Sequence, residues 1–170
     1  MSLLVLKRLP LSILTWSHPE LNDKPVAVCH SDNRKGTAEI SSANYPARDY
    51  EMPRVYAPNF EAYEEVADQF YNILHKHCNR VQAVSYDEAF LDVTDLEGID
   101  PQLLASTIRK KISEATGCTA SAGIAENMLM AGLATRTAEW SFISGLELPV
   151  DEYLDQLPIK VLPGIGHVLA

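Results

Sequence analysis

Two runs of strand-forming residues, 81–86 and 89–94, are separated only by Asp87 and Glu88. A parallel crossover takes roughly a dozen residues or more, so a two-residue gap leaves only an antiparallel hairpin. In the second run Ala89, Leu91 and Val93 alternate with Phe90, Asp92 and Thr94, which gives that strand one apolar face. A two-stranded hairpin is marginal in water by itself, so the rest of the chain must supply strands and helices that cover this face.

Helical patterns flank the hairpin. Upstream, Phe60, Tyr63, Val66, Ala67, Phe70, Ile73 and Leu74 fall on one stripe, with Asn59 placed to cap it. Glu61, Glu64, Glu65 and Asp68 crowd its first turns and His75, Lys76 and His77 its last, the polarity that suits the helix dipole. Downstream, Asp100-Pro101 supplies an N-cap and a first-turn proline; Leu104, Ile108, Ile112 and Ala115 form the stripe, and Gly117 stops it. Residues 118–124 read as a strand and 127–138 as a helix. Before all this, 25–29 reads as a buried strand, 30–36 as a polar loop, 37–48 as a strand continued by a helix, and 51–58, with two prolines, as a connection. The order predicts an α+β layer with helices on one face of a mostly antiparallel sheet. From Glu139 the texture changes, and a second unit begins that includes the turn Pro163-Gly164-Ile165-Gly166.

Composition narrows the function. With 46% hydrophobic residues the chain can bury a core. Its 14 basic and 23 acidic residues give a net charge of −9, against gripping nucleic acid by bulk charge. Cys29, Cys78 and Cys118 are scattered, as expected in a reducing compartment. No apolar stretch is long enough to span a bilayer, and Lys7 and Arg8 interrupt the apolar start, so the reading is a soluble intracellular protein without a membrane partner.

Four groups of residues could carry chemistry. Asp87 and Glu88 sit where a tight hairpin normally wants glycine or asparagine, and adjacent acids repel. Such a local conflict marks a candidate site, where hard carboxylate oxygens suit Mg²⁺ in a phosphoryl transfer. The alternative is a solvated acidic turn. Ser42, Tyr45 and Arg48, spaced by three, would share one side of a helical turn and could hold a triphosphate, or could form an ordinary polar helix face. Gly164 and Gly166 would let backbone N–H groups approach a phosphate, or simply form a loop. His75 and Cys78 could share a zinc, but no second ligand pair stands at a suitable spacing.

Taken together, three segments in order change the balance: Ser41-Ser42-Ala43-Asn44-Tyr45-Pro46-Ala47-Arg48, Ser85-Tyr86-Asp87-Glu88-Ala89-Phe90-Leu91-Asp92-Val93-Thr94, and Ser121-Ala122-Gly123-Ile124-Ala125-Glu126-Asn127. The chain resembles the Y-family translesion DNA polymerases, and among them the eukaryotic deoxycytidyl-transferase branch of DNA repair, which inserts dCMP opposite template G and abasic sites. The resemblance runs from about residue 19 to 167. It implies a ferredoxin-like palm over 1–138 with a reduced fingers insert at about 30–58, then a linker and the start of a helical thumb over 139–170. Asp87 and Glu88 would be catalytic metal ligands for a two-Mg²⁺ site. Ser42, Tyr45 and Arg48 would bind the incoming dCTP, and Gly164 and Gly166 the DNA backbone. Primer–template DNA and translesion-complex proteins would be the partners and the nucleus the place of work.

The sequence departs from that family in ways that bear on activity. The family's first strand carries an Asp-x-Asp-type motif, which would fall near Val5-Leu6-Lys7, yet no acid precedes Glu20. The fingers stretch between Tyr50 and Asn59 is short, a triphosphate-binding lysine is replaced near Glu139, and the chain stops before the thumb is complete. The resemblance therefore implies a weak or inactive, truncated polymerase. The alternatives are a non-catalytic ferredoxin-like remnant that binds a protein, and another palm-like nucleotidyl enzyme such as a cyclase.

Overall fold

The computed structural model describes residues 2–7, 13–15, 18–21, 23–29, 40–44, 46–47, 54–56, 60–137, 150–155, 157–159 and 162. Its described elements, in chain order, are strand β1 (Ser2–Lys7), a 3-10 turn (Pro19–Leu21), strands β2 (Val26–Cys29), β3 (Ile40–Ala43) and β4 (Arg54–Tyr56), helix α1 (Phe60–His77), strands β5 (Val81–Ser85) and β6 (Glu88–Asp92), helix α2 (Pro101–Thr116), strand β7 (Ala120–Ala125), and helices α3 (Met128–Thr137) and α4 (Val150–Asp155).

The hairpin is β5–β6, and it is half of a four-stranded sheet ordered β5-β6-β1-β7. Every neighbouring pair in this sheet is antiparallel. With β2–β4 set aside, the succession β1-α1-β5-β6-α2-β7 on this sheet is the ferredoxin-like arrangement. Strand β1 is therefore central, and its register sets Leu6 opposite both Glu88 and Ser121.

Alternation builds the core. Ala89, Leu91 and Val93 of the β6 run and Ala120, Ala122 and Ile124 of β7 turn to one face. There they join Phe70, Leu74 and Cys78 from α1 and its end with Leu104, Ala105, Ile108 and Ile112 from α2. Phe70, Leu74, Leu91, Ile108 and Ile112 are fully buried, each contributing about 1.5–3 kcal/mol relative to exposure. Helix α1 has its predicted polarity, with Glu61 in the first turn and His75, Lys76 and His77 in the last, while its expected cap Asn59 lies outside the described residues; α2 has both of its predicted caps. Asp100 accepts from the Gln102 N–H at 2.9 Å, and Gly117 takes the left-handed φ of 64° while its N–H bonds the Ser113 carbonyl. Ala115, expected on the α2 stripe, is exposed, because the buried face steps by four from Leu104 through Ile108 and Ile112 to Thr116.

The expectation that all helices share one face is corrected by Gly123. It alternates with the core residues Ala122 and Ile124, so it faces the other way, and a Cβ placed there would meet Ala131 and Thr135 of α3. Helix α3 thus covers the opposite face from α1 and α2.

The second sheet is smaller, ordered β3-β2-β4, with β3 antiparallel and β4 parallel to β2. All four residues of β2 are buried, as its unbroken apolar run requires. Residues 54–56, read from sequence as part of a connection, form β4; three residues are too few for a periodicity to declare itself. The loop expected at 30–36 lies outside the described residues. Ile13 packs with Val66 and Cys118 in a separate cluster against α1.

Candidate functional site

Asp87 and Glu88 stand at the tip of the β5–β6 hairpin, but not as a matched pair of turn residues. The turn is Tyr86-Asp87, and Glu88 already belongs to β6, in register with Ser85. The expected Asp87-Glu88 turn is displaced by one residue because the ladder slips between Ala83 and Ser85. No described non-glycine residue has positive φ, so this tip avoids the left-handed turn that adjacent acids would fit poorly.

Local contacts fix the tip. The Ser85 hydroxyl donates to Asp87 Oδ1 at 2.7 Å, and the Asp87 N–H approaches Ser85 Oγ at 3.4 Å. From α1, the Tyr71 hydroxyl lies 2.5 Å from the Ser85 carbonyl and 3.0 Å from the Glu88 carbonyl. The same helix brings Tyr63 within reach of the Asp87 charge. Burial, reinforced by that charge, pushes the Tyr63 hydroxyl up to about 12. Tyr71 is raised as well, by burial first and then by Asp87 and Glu88.

The other end of the hairpin is tied differently. Arg80 bridges Asp92 at 3.2 Å and Asp95 at 2.5 Å, and Thr94 gives Asp92 both its hydroxyl and its N–H. These bonds, Thr94 first and then Arg80, hold the Asp92 carboxyl down at about 2.

The triphosphate trio is not one helical face. Ser42 lies on β3, half-buried and in register with Val28, on the smaller sheet. The buried β2 strand recruits residues 40–43 into a ladder, and the described helical residues here are 46 and 47. Tyr45 and Arg48 lie outside the described residues, as do Gly164, Gly166 and Glu139. Asn44 has a structural role beside Ser42 that its sequence position does not declare. Its buried Oδ1 accepts from the N–H groups of Val26 (3.1 Å) and Ala47 (3.0 Å), and its Nδ2 donates to the Lys24 carbonyl at 2.6 Å. It caps the Ala47 N–H and clasps it to β2. The signal available in the sequence was an asparagine two residues before Pro46. Tyr63 lies on the predicted α1 stripe and Tyr71 beside it, and neither hydroxyl carries a sequence signal of its own.

Residues 54–136 match the impB/mucB/samB family (IMS). The fold aligns over its whole length with a Y-family DNA polymerase chimera, at a TM-score of 0.83 and 27% identity. The chain carries a domain of the Y family of DNA polymerases. The same chain is also 58% identical to the DNA repair protein REV1 of Arabidopsis thaliana over 93% of its own length and 16% of that protein's. A DNA polymerase IV of Xanthomonas campestris pv. campestris is 36% identical, with 89% of this chain and 46% of that protein covered. Another solved structure, an insertion ternary complex of the Dbh DNA polymerase, aligns with a TM-score of 0.83 at 27% identity, covering all of this chain and 56% of that one. The chain spans about half the length of the bacterial relatives it matches. What it carries is a Y-family palm, and Asp87 and Glu88 lie on it.

The donor set suits a hard divalent cation, which takes one or two carboxylates and completes its shell with water and phosphate oxygens. Two adjacent acids meet that need. Among the described residues no cluster of three or more potential ligands forms, and the register partner of Glu88 on β1 is a leucine. No described helix is long and apolar enough to cross a membrane.

Proposed function

We propose that this palm serves template-dependent translesion DNA synthesis, transferring dCMP from dCTP to a primer opposite template G or an abasic site. The 58% identity to a DNA repair REV1 protein carries the reading, since the bacterial relatives match at a lower level. Asp87 and Glu88 are assigned to a divalent cation, with Mg²⁺ the expected metal. When bound, such an ion neutralises phosphate charge and lowers the pKa of an attacking hydroxyl. Ser42, Tyr45 and Arg48 are assigned to the triphosphate, and Gly164 and Gly166 to the DNA backbone. Binding to damaged DNA, translesion partner proteins and a nuclear location belong to the same proposal, as does the division into a palm with reduced fingers over 1–138 and a thumb start over 139–170.

The chain's own residues hold and orient. The Ser85 hydroxyl fixes one oxygen of Asp87, and Tyr71 fixes the backbone around both acids. Catalysis by this chain is expected to be slow, because Val5-Leu6-Lys7 offers no carboxylate to add to the pair.

The test is primer extension with dCTP and Mg²⁺ opposite template G. Slow incorporation that depends on template G and disappears in Asp87→Ala is the expected result. Incorporation indifferent to Asp87→Ala removes the site assignment. No template-dependent binding or incorporation of dCTP removes the function.

A further inference from the structure

The contacts at the hairpin tip converge on a residue that carries no charge and contributes no ligand. Tyr71 sits in the middle of α1, with its ring edge-on to Phe70 (centroids 5.1 Å apart, 77° between planes) and against the main core. Its ring position is therefore set by packing. Its hydroxyl emerges at the one place where the β5–β6 ladder is irregular, between the carbonyls of Ser85 and Glu88. A hydroxyl has a single proton, so the two carbonyls share it. One donor on a rigid helix thus ties both strands at the point where strand pairing is weakest.

Each tied carbonyl leads to a different acid. Fixing Ser85 fixes the hydroxyl that bonds Asp87 Oδ1 at 2.7 Å. Fixing the Glu88 carbonyl fixes the backbone from which the Glu88 side chain departs. We propose that Tyr71 is a positioning residue for the acidic pair, its hydroxyl holding Asp87 through Ser85 and Glu88 through its own backbone. The inference rests on the reading of Asp87 and Glu88 as a cation site, and it adds a residue that touches neither cation nor nucleotide.

The experiment is titration of the full chain with Mn²⁺ in the presence of dCTP, following free Mn²⁺ by electron paramagnetic resonance, with the unfolding midpoint of each variant measured alongside. Tyr71→Phe keeps the ring and its packing and removes only the donor. It should weaken Mn²⁺ binding about three- to tenfold, the range a lost hydrogen bond supports. Ser85→Ala, at an exposed position that carries no fold-critical packing, should weaken it about threefold. Arg80→Ala loosens the far end of the same hairpin and should leave Mn²⁺ binding within about twofold, since its ion pairs are exposed. Asp87→Asn tests the underlying reading and should abolish site-specific binding. If Asp87→Asn abolishes binding while Tyr71→Phe changes only the unfolding midpoint, Tyr71 is structural and the inference is overturned alone. If Arg80→Ala weakens binding as much as Tyr71→Phe, general hairpin stability is responsible and the inference is again overturned. If the parent chain binds no Mn²⁺, or Asp87→Asn binds as well as the parent, the cation-site reading and the inference both fail.

Discussion

Gly123 offers the sharpest test of how the sheet and α3 fit together. A Cβ added there would lie 2.3 Å from the Ala131 carbonyl oxygen, 2.4 Å from Thr135 Oγ1 and 2.6 Å from the Thr135 nitrogen. Ordinary van der Waals contact begins near 3.4 Å, so α3 would have to move off β7 by about 1 Å. Two of the three obstacles are backbone atoms and cannot rotate away. Overpacking of this kind costs about 1–3 kcal/mol, and the rigidity of the obstacles places Gly123→Ala near the top of that range. The reduced entropy of the unfolded chain offsets about 0.4–1 kcal/mol. The net loss is about 2 kcal/mol, or a fall in Tm of about 4–8 °C for a chain of this size. Urea and thermal unfolding of the single variant measure it. Thr135→Ala in the Gly123→Ala background removes only the hydroxyl obstacle, so it should recover less than half of the loss. Unchanged stability in Gly123→Ala, or full rescue by Thr135→Ala, would show that the helix is not seated on the glycine.

Asn44→Ala leaves the Val26 and Ala47 N–H groups without their acceptor and the Lys24 carbonyl without its donor, and should cost about 2–4 kcal/mol by urea unfolding. Asn44→Asp keeps the acceptor but sets a carboxylate against the Lys24 carbonyl, so its stability should recover as the pH falls and the carboxyl regains a proton to donate. Tyr63 gives an alkaline prediction. Its folded pKa, about 12, lies above the unfolded value of 10, so its contribution is complete below pH 10 and is lost as the pH rises from 10 through 12. Tyr63→Phe should flatten the fall of stability over that window. Asp87→Asn should lower the Tyr63 value, read by phenolate absorbance, without restoring it to 10, since burial is the larger cause.

Much of the architecture was legible because it rests on periodicity. The alternation at Ala89, Leu91 and Val93, the stripe ending in Phe70 and Leu74, and the cap pair Asp100 and Gly117 all express one local rule each, and the structure has them in place. What the sequence hid depends on contacts across the chain. Strand β4 exists because β2 offers it a parallel edge, not because residues 54–56 have a pattern. The turn at Tyr86-Asp87 is displaced from the expected position by a ladder slip that no propensity encodes. Ser42 left the proposed helical face for the same reason that β4 formed, pairing with β2. The acids themselves were conspicuous, since two carboxylates in a tight gap contradict turn chemistry. Tyr71, which ties the backbone around them, gave no such signal, since it lies on α1 but off the apolar stripe that the sequence predicts.

The hairpin that bears the acids is held by unlike means at its two ends, and the difference follows from what each end must do. At the Arg80 end, charge balances charge: one guanidinium spans Asp92 and Asp95, and Thr94 completes the Asp92 oxygens. Exposed pairs of this kind contribute little stability each, but they give each acid a cationic partner. At the tip the same solution would defeat the purpose, because a cationic side chain against Asp87 or Glu88 would compete with any metal for the same oxygens. Neutral hydroxyls avoid this conflict. Ser85 occupies one oxygen of Asp87, and Tyr71 acts on backbone carbonyls, so neither brings positive charge to the pair. A scaffold that positions two acids through a neutral hydroxyl and backbone carbonyls is suited to receive a cation, and that division of labour within a single hairpin supports reading its tip as the working end.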